Sequence, residues 1–347
     1  MNPCPSPPGP RAAGRRRVLV ALVALALAAA AARAAGEVAE VRLMRQYGLG
    51  YLPLAVMQAE GLVERHLARA GLATTKVKWI LLGAGAAAND ALISGGVDVA
   101  CGGLGPACIV WDRSRGSRDI RGAAALSSMP CLLVTRNPAV KSVRDFTDRD
   151  RIAMAGAGAS VHTIYLQMAV AREFGLGERR RLNHLMVNLP HPEGLRALLS
   201  GGGEITAQFT SPPYWNRALA APGIHVVLDS YDVMGGPSTF LLLWASRRFR
   251  DENPRSFAAI LAALDEANRL IRDQPRRAAE LYAAASGAGE KVAEILAILN
   301  DPRSGYSMVP RRTLPFAEFM HDVGTLTRRP ASWKDLFFED IHHLDGS

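Results

Sequence analysis

Residues 91–106 read ALISGGVDVACGGLGP and residues 197–212 read ALLSGGGEITAQFTSP. At a constant offset of 106 positions Ala, Leu, Ser, Gly, Gly and Pro coincide, while Ile/Leu, Asp/Glu and Val/Ile replace one another conservatively. Each copy is a helix, a Gly-Gly stop that supplies left-handed backbone, an acidic residue, and a strand running into a Pro-bearing turn. The upstream segments correspond more loosely, as strand, Gly-bearing loop and a helix closing on Gly-Leu, at Gly61-Leu62 and Gly175-Leu176. A chain built twice from this unit is expected to fold as two similar α/β lobes that face each other.

Periodicity elsewhere agrees. Short β-rich runs at 41–44, 77–82 and 97–101 alternate with helical stretches at 54–60 and 86–94. The order returns as strands at 151–154, 184–189 and 205–209, with helices at Val161–Phe174 and 193–200. Such alternation predicts α/β lobes on mainly parallel sheets. Two more β-like stretches, 126–135 and 239–245, flank the second copy and are expected to cross between the lobes as a two-strand hinge. Helices at 255–273, 275–285 and 290–299 follow. Asn253-Pro254 and Gln274-Pro275 open the first two, because proline is tolerated in a first turn. The expected organisation is one discontinuous lobe, 35–127 with 239–347, which carries the helical C-terminal tail, and one continuous lobe, 128–238.

Arg11, Arg15, Arg16 and Arg17 precede an apolar run from 18 to 32, and Ala32-Arg33-Ala34 supplies small residues around a cleavage point. A basic start, a short apolar segment and an A-x-A-like site predict a secretory signal peptide over 1–34, cut near Ala34. The run is shorter than the roughly 20 residues that span a bilayer. Arg15-Arg16 leaves twin-arginine export open beside the general route. The expected location is the periplasm.

Removing that leader takes away five arginines and no acidic residue, so the net charge falls from +9 to about +4. The remaining charges are scattered singly, with no basic stripe interleaved with aromatics, so nucleic acid is not an expected partner. Cys101, Cys108 and Cys131 remain. An oxidising compartment permits one disulfide among them, but free Cys also serves as a small buried hydrophobe, and that is the expectation. No C-x-x-C or H-x-x-x-H spacing occurs, so neither a metal site nor a cofactor is expected.

Four motifs stand in order along the chain: Gly50-Tyr51-Leu52-Pro53-Leu54 running into Glu60-Gly61-Leu62; Ala91-Leu92-Ile93-Ser94-Gly95 before Asp98; Lys141-Ser142-Val143-Arg144-Asp145-Phe146; and Asn253-Pro254 ahead of the tail helices. In that order and spacing the chain resembles the nitrate/sulfonate/taurine-type periplasmic binding proteins of ABC importers, a family that includes thiamine-pyrimidine binders. The likeness covers nearly all of the chain after the leader. It implies a type II periplasmic-binding fold, a small-molecule ligand held between lobes that close by a hinge, an inner-membrane ABC permease as partner, and a monomer.

Ligands of open α/β sheets collect outside the carboxyl ends of the strands. Five loops fit that description: 47–52, 82–86 and 102–106 in one lobe, 155–163 and 210–213 in the other. The run AGAGAS at 155–160 leads into a helix; its glycines, including Gly158, let backbone approach a ligand, Ser160 caps, and the free N–H groups favour an anion. Thr163 lies in its first turn. No Gly-Lys-Ser/Thr follows, so it is not a nucleotide P-loop. Gly50, Tyr51 and Leu52 stand after the first strand, and the resemblance favours Tyr51 as a ligand contact. Gly83, Gly85, Gly103 and Pro106 suggest bare backbone walls, and Thr210 and Ser211 offer hydroxyls from the opposing lobe. Ser127 and Ser128 at one crossing and Tyr231 at the other complete the candidate set. Arg45, His162 and His191 lie near the right loop ends but are expected to be surface residues. These walls leave sulfonate, carboxylate, nitrate and neutral heterocycle ligands all open.

The first rival is an enzyme on the same fold. Yeast-type pyrimidine-precursor synthases resemble this family, but the cysteine-rich stretch on which they depend has no counterpart here, and no Ser-His-Asp or Cys-His grouping has local support. The second is a binding module that serves a sensor, which the fold alone does not separate from transport.

Overall fold

The computed structural model describes residues 36–82, 85–158, 160–286 and 291–347. The expected leader at 1–34 and Gly83 lie outside the described residues. Among the described residues ten strands form two five-stranded sheets. β1 (Glu40–Arg45), β2 (Lys76–Leu81), β3 (Val99–Gly103) and β4 (Ile120–Ser127) belong to the first. β5 (Leu132–Thr135), β6 (Ile152–Met154), β7 (Met186–Asn188), β8 (Ala207–Thr210) and β9 (His225–Asp229) make the second, and β10 (Leu241–Ser246) returns to the first.

The strand orders are β2-β1-β3-β10-β4 and β7-β6-β8-β5-β9. In each sheet the first three strands run parallel and the fourth is antiparallel to both its neighbours. The two sheets therefore share one topology. The repeat is as plain in the helices: Gly85–Ser94 and His191–Ser200 cover the same positions of the two copies. Gly95 and Gly201 follow them, both at φ +77°, the left-handed backbone that only glycine adopts freely.

β10 lies between β3 and β4, and its residues Leu241 to Ala245 are buried, with Trp244 fully enclosed. The second sheet packs Leu132, Val134 and Ala153 against Leu195 and Leu198 of the repeat helix and against Tyr214 and Trp215. The tail helix Pro254–Asp273 buries Phe257, Ile260, Leu264, Ala267 and Ile271, spaced by three or four residues along one face. That stripe covers the helices Leu52–Ala59 and Leu62–Arg69.

The crossings differ from the expected pair of strands. The stretch 126–135 is not continuous, because β4 ends at Ser127 and β5 starts at Leu132. Pro130, which has no N–H to give a ladder, sits in the gap. Ser128 instead exchanges backbone hydrogen bonds with Gly305 of the tail, at 2.8 and 2.7 Å. At the other crossing β10 begins at Leu241 rather than 239; Thr239 N–H donates to Arg311 O and Phe240 N–H to Ser127 O, both at 2.9 Å. Two further helices, Thr313–Asp322 and Trp333–Leu336, end the tail, and Phe337 packs so closely on Gly122 that no side chain fits there. Cys101, Cys108 and Cys131 are free and buried.

Candidate functional site

A cavity of about 300 Å³ opens between the two sheets, at the carboxyl ends of β1, β3, β6, β7 and β8. From the first lobe it is lined by Gln46, Tyr47, Gly48, Gly50 and Tyr51 after β1, by Gly103 at the end of β3 and by Pro106 after it. The helix Gly85–Ser94 adds Asn89 and Asp90, and Leu104–Ser114 adds Ile109 and Arg113. The second lobe brings Gly156, Ser160, Val161 and His162, then Pro190, His191 and Ser211, while Phe240 and Leu241 close the back.

Local chemistry explains how these walls form. Gly48 at φ 114° opens the turn Leu49–Tyr51, and a Cβ on Gly50 would lie 2.6 Å from Leu241 Cδ1, so any larger residue would displace that buried side chain. Tyr51 is buried beneath the turn, and burial pushes its hydroxyl well above the ordinary tyrosine range, which keeps it protonated. Asn89 donates through Nδ2 to Pro106 O at 3.0 Å, and its Oδ1 is enclosed without a partner.

In the second lobe Ser160 caps the helix Val161–Phe174, accepting from Thr163 N. Gly156 and Gly158 take positive φ, and Gly156 N–H donates to Asn188 Oδ1 at 2.9 Å. His191 is held by Thr210 Oγ1 at 2.8 Å from its Nδ1 and stacks on Tyr214 at 5.4 Å between ring centres. His162 meets it edge-on at 5.1 Å and also touches Phe209 and Phe240. Burial drives both imidazoles down, His191 to about 4 and His162 well below its ordinary value with His191 as a second cause, so both are neutral at pH 7.

The lobes already touch. Leu49 N–H donates to Pro212 O at 3.4 Å, and Gly103 faces Val161, where a Cβ would come within 3.1 Å of the valine side chain.

Of the residues expected from sequence, Gly50, Tyr51, Gly103, Pro106, Ser160 and Ser211 line this cavity. The others are placed elsewhere or employed otherwise. Leu52 is fully buried in its helix. Thr163 turns its hydroxyl back to accept from Gly158 N at 3.1 Å, so it and Gly158 hold the loop. Thr210 is spent on His191. Ser127 is 1% exposed, with its backbone oxygen on Phe240 N, and Ser128 is bridged to Gly305. Tyr231 donates its hydroxyl to Arg303 O at 2.9 Å, tying the second crossing to the tail. Gly85 opens the helix that carries Asn89 and Asp90.

The expectation that His162 is a surface residue fails, because rings from β8 and from Phe240 just ahead of β10 cover it, while His191 is half-buried with Tyr214 stacked on its ring. Sequence reasoning also missed Gln46, Asn89 and Phe240. One signal was available for His191: it starts the helix that repeats Gly85–Ser94, so it stands at the cleft end by symmetry. Electrostatically, charge is confined to exposed Asp90 and Arg113 among the described lining residues. The amino ends of the helices Leu104–Ser114, Val161–Phe174 and His191–Ser200 lie at the cavity. Their partial positive ends make this a neutral-walled site that favours an anion.

A family model described as the NMT1-like family matches residues 34–286. A protein of Escherichia coli strain K12 named for binding aliphatic sulfonates is 24% identical over 309 residues, 88% of this chain and 86% of its own. The periplasmic aliphatic sulphonate binding protein of Escherichia coli superposes with a TM-score of 0.65 at 19% identity, over 87% of this chain and 93% of that one. The alkanesulfonate-binding protein of Xanthomonas axonopodis pv. citri, bound to MOPS, gives 0.65 at 18% identity over 85% and 96%. The periplasmic nitrate-binding protein of Synechocystis PCC 6803 gives 0.64 at 14% identity over 86% and 84%. The fold is that of the periplasmic binding proteins.

Proposed function

The chain belongs to the NMT1-like family, and on that premise we propose that it is the exported solute-binding component of an ABC importer, taking a small organic anion into the cleft between its lobes. The observation that carries this reading is the convergence of strand ends and helix amino termini from both lobes on one cavity of about 300 Å³. That volume is at the lower end for small-molecule sites. Among anions a sulfonate is the favoured ligand, since the relatives named above include sulfonate binders. Residues 1–34 are the leader, removed on export to the periplasm. Residues 35–127 with 239–347 form one lobe and 128–238 the other, and hinge closure delivers the ligand to an inner-membrane permease. The protein acts as a monomeric binder rather than as an enzyme, in keeping with the binding proteins it resembles.

The cleft contacts assigned to ligand are Gly50, Tyr51, Gly103, Pro106, Ser160 and Ser211. A thermal-shift screen of the mature chain against ethanesulfonate, benzenesulfonate, nitrate, benzoate and a neutral aminopyrimidine tests the assignment. A bound anion at 100 times its Kd adds about 2.7 kcal/mol, a rise of about 4 °C for a chain of this size. Tyr51→Ala and Ser160→Ala should shrink that shift. A screen in which only the pyrimidine raises the melting temperature contradicts the anion assignment, and one in which nothing does contradicts the binding role.

A further inference from the structure

We propose that His191 is the contact that matches the ligand's charge, and that capture of an anion draws one proton from solvent onto the His162–His191 pair. This rests on the reading of the cleft as an anion site and goes beyond it by assigning where the compensating positive charge comes from.

The geometry supports it in three ways. His191 is pinned through Nδ1 to Thr210 Oγ1 at 2.8 Å and by its stack on Tyr214, so the opposite edge of the ring, which carries Nε2, remains for the cavity it lines. An imidazolium there satisfies both nitrogens at once, Nδ1–H on the threonine hydroxyl and Nε2–H on the anion, a charge-assisted hydrogen bond. His162, 3% exposed, lies edge-on at 5.1 Å with its Nε2 enclosed and without a partner. Two cations at that separation repel strongly in a low-dielectric cleft, so the pair takes one proton, not two.

The fixed charges that line the cavity, Asp90 and Arg113, are both exposed and both stand on the first lobe, across the cleft from His191. The groups that face the pair from the packed elements are Tyr214 and Thr210 on its own side, Tyr51 and Tyr47 across the cleft, and the exposed Asp90 and Arg113 on the first lobe. Glu193 and Arg196, on the helix of His191, are exposed. Neither ring has an ion-pair partner among these. Without ligand, burial therefore holds His191 neutral, down at about 4. An opposite charge within ~4–6 Å raises a pKa by about 1–3 units. The proton is taken up from solvent at the pH where the bound form is charged and the free form is not.

The test is isothermal titration calorimetry of the mature chain with ethanesulfonate, benzenesulfonate and nitrate, anions of strong acids that do not themselves titrate from pH 5 to 7.5. Measurements in two buffers of different ionisation enthalpy count the protons. The expected result is net proton uptake near pH 5.5 and affinity at least about twofold tighter at pH 5 than at pH 7.5. His191→Gln should abolish both, whereas His184→Gln, whose ring sits on Asp148 at the surface, should leave both intact. Should His191→Gln not fold, the ring-proton NMR titration of His191 in the unsubstituted protein must move to higher pH when benzenesulfonate is added. Binding with no proton uptake, uptake that survives His191→Gln, or an unmoved titration overturns the proposal alone. Failure of all three anions to bind at any pH overturns the anion site itself.

Discussion

Gly95 and Gly201, 106 residues apart, share a φ of +77° and stop two helices that cover equivalent positions of the repeat. The same backbone requirement has thus been kept twice. A Cβ at Gly95 would meet nothing within 4 Å, so Gly95→Ala isolates backbone strain, expected at about 1 kcal/mol. At Gly201 a Cβ would touch only the end of Arg136, at 3.2 Å, and that flexible side chain can move. Both alanine variants should lose about 1 kcal/mol in urea unfolding, and asparagine variants less, because asparagine tolerates this region. Equal stability of glycine and alanine at either site would contradict the shared geometry.

The acidic position of the repeat has diverged. Asp98 accepts from Arg42 N at 2.8 Å and from Arg42 Nε and Nη2 at 3.0 and 2.6 Å, locking β1 to the turn before β3. Its counterpart Glu204 is exposed. In the second lobe the corresponding lock is Asp150, 1% exposed, which accepts from Asn137 Nδ2 at 2.8 Å, Thr206 Oγ1 at 3.0 Å and Thr147 N at 3.0 Å. Asp98→Ala should therefore cost about 2 kcal/mol, while Glu204→Ala stays within about 0.5 kcal/mol of the parent. Equilibrium denaturation of the two variants distinguishes them.

Local signals were enough for what is local. The helix Val161–Phe174, with its serine cap, runs where the sequence predicts, and the repeat foretells both the duplicated topology and the glycine stops. Expectations failed where distant segments decide. Ser128 and Tyr231 look available for ligand in the sequence, yet Gly305 and Arg303 occupy their backbone or hydroxyl groups, while Ser127 keeps its hydroxyl enclosed without a partner and outside the cavity lining. Thr163 has the right position and the wrong direction, because Gly158 N–H claims its hydroxyl. His162 reads as a surface residue because the rings that bury it come from segments dozens of residues away. Burial of a polar ring on a helix's first turn leaves no mark in local periodicity.

Gly103 faces Val161 across the cleft so closely that a Cβ would sit 3.1 Å from two atoms of the valine, which would have to give way by a few tenths of an ångström. Gly103→Ala should hold the lobes a few tenths of an ångström apart and lower ligand affinity by about tenfold, from roughly 1–3 kcal/mol of overpacking in the closed form. The melting temperature without ligand should change little, since the open form can relax at this contact. Calorimetry together with thermal unfolding checks this. Unchanged affinity would mean that closure does not tighten this contact.

The neutral histidines make stability depend on pH. Their folded values lie below the ordinary 6.5, with His191 at about 4, so below pH 6.5 the unfolded chain binds protons that the folded chain refuses. Stability is fully present above pH 6.5 and is lost as pH falls towards 4. His191 alone accounts for at most about 3 kcal/mol of that loss. The carboxylates held low, Asp150 among them, start below their ordinary 3.8 and add their loss at still lower pH. Urea midpoints of the ligand-free protein at pH 7.5, 6, 5 and 4.5 should fall steadily, and His191→Gln should flatten the slope. A midpoint that is constant over this range would contradict neutral burial of the pair.

The central claim is that two lobes of common topology close on one small anion between them. Small-angle scattering of the mature chain, with and without a saturating concentration of the tightest-binding anion from the thermal-shift panel, tests it most directly. The account predicts a smaller radius of gyration in the ligand-bound state, in proportion to occupancy. Tight binding at a 1:1 ratio with an unchanged radius of gyration would contradict it.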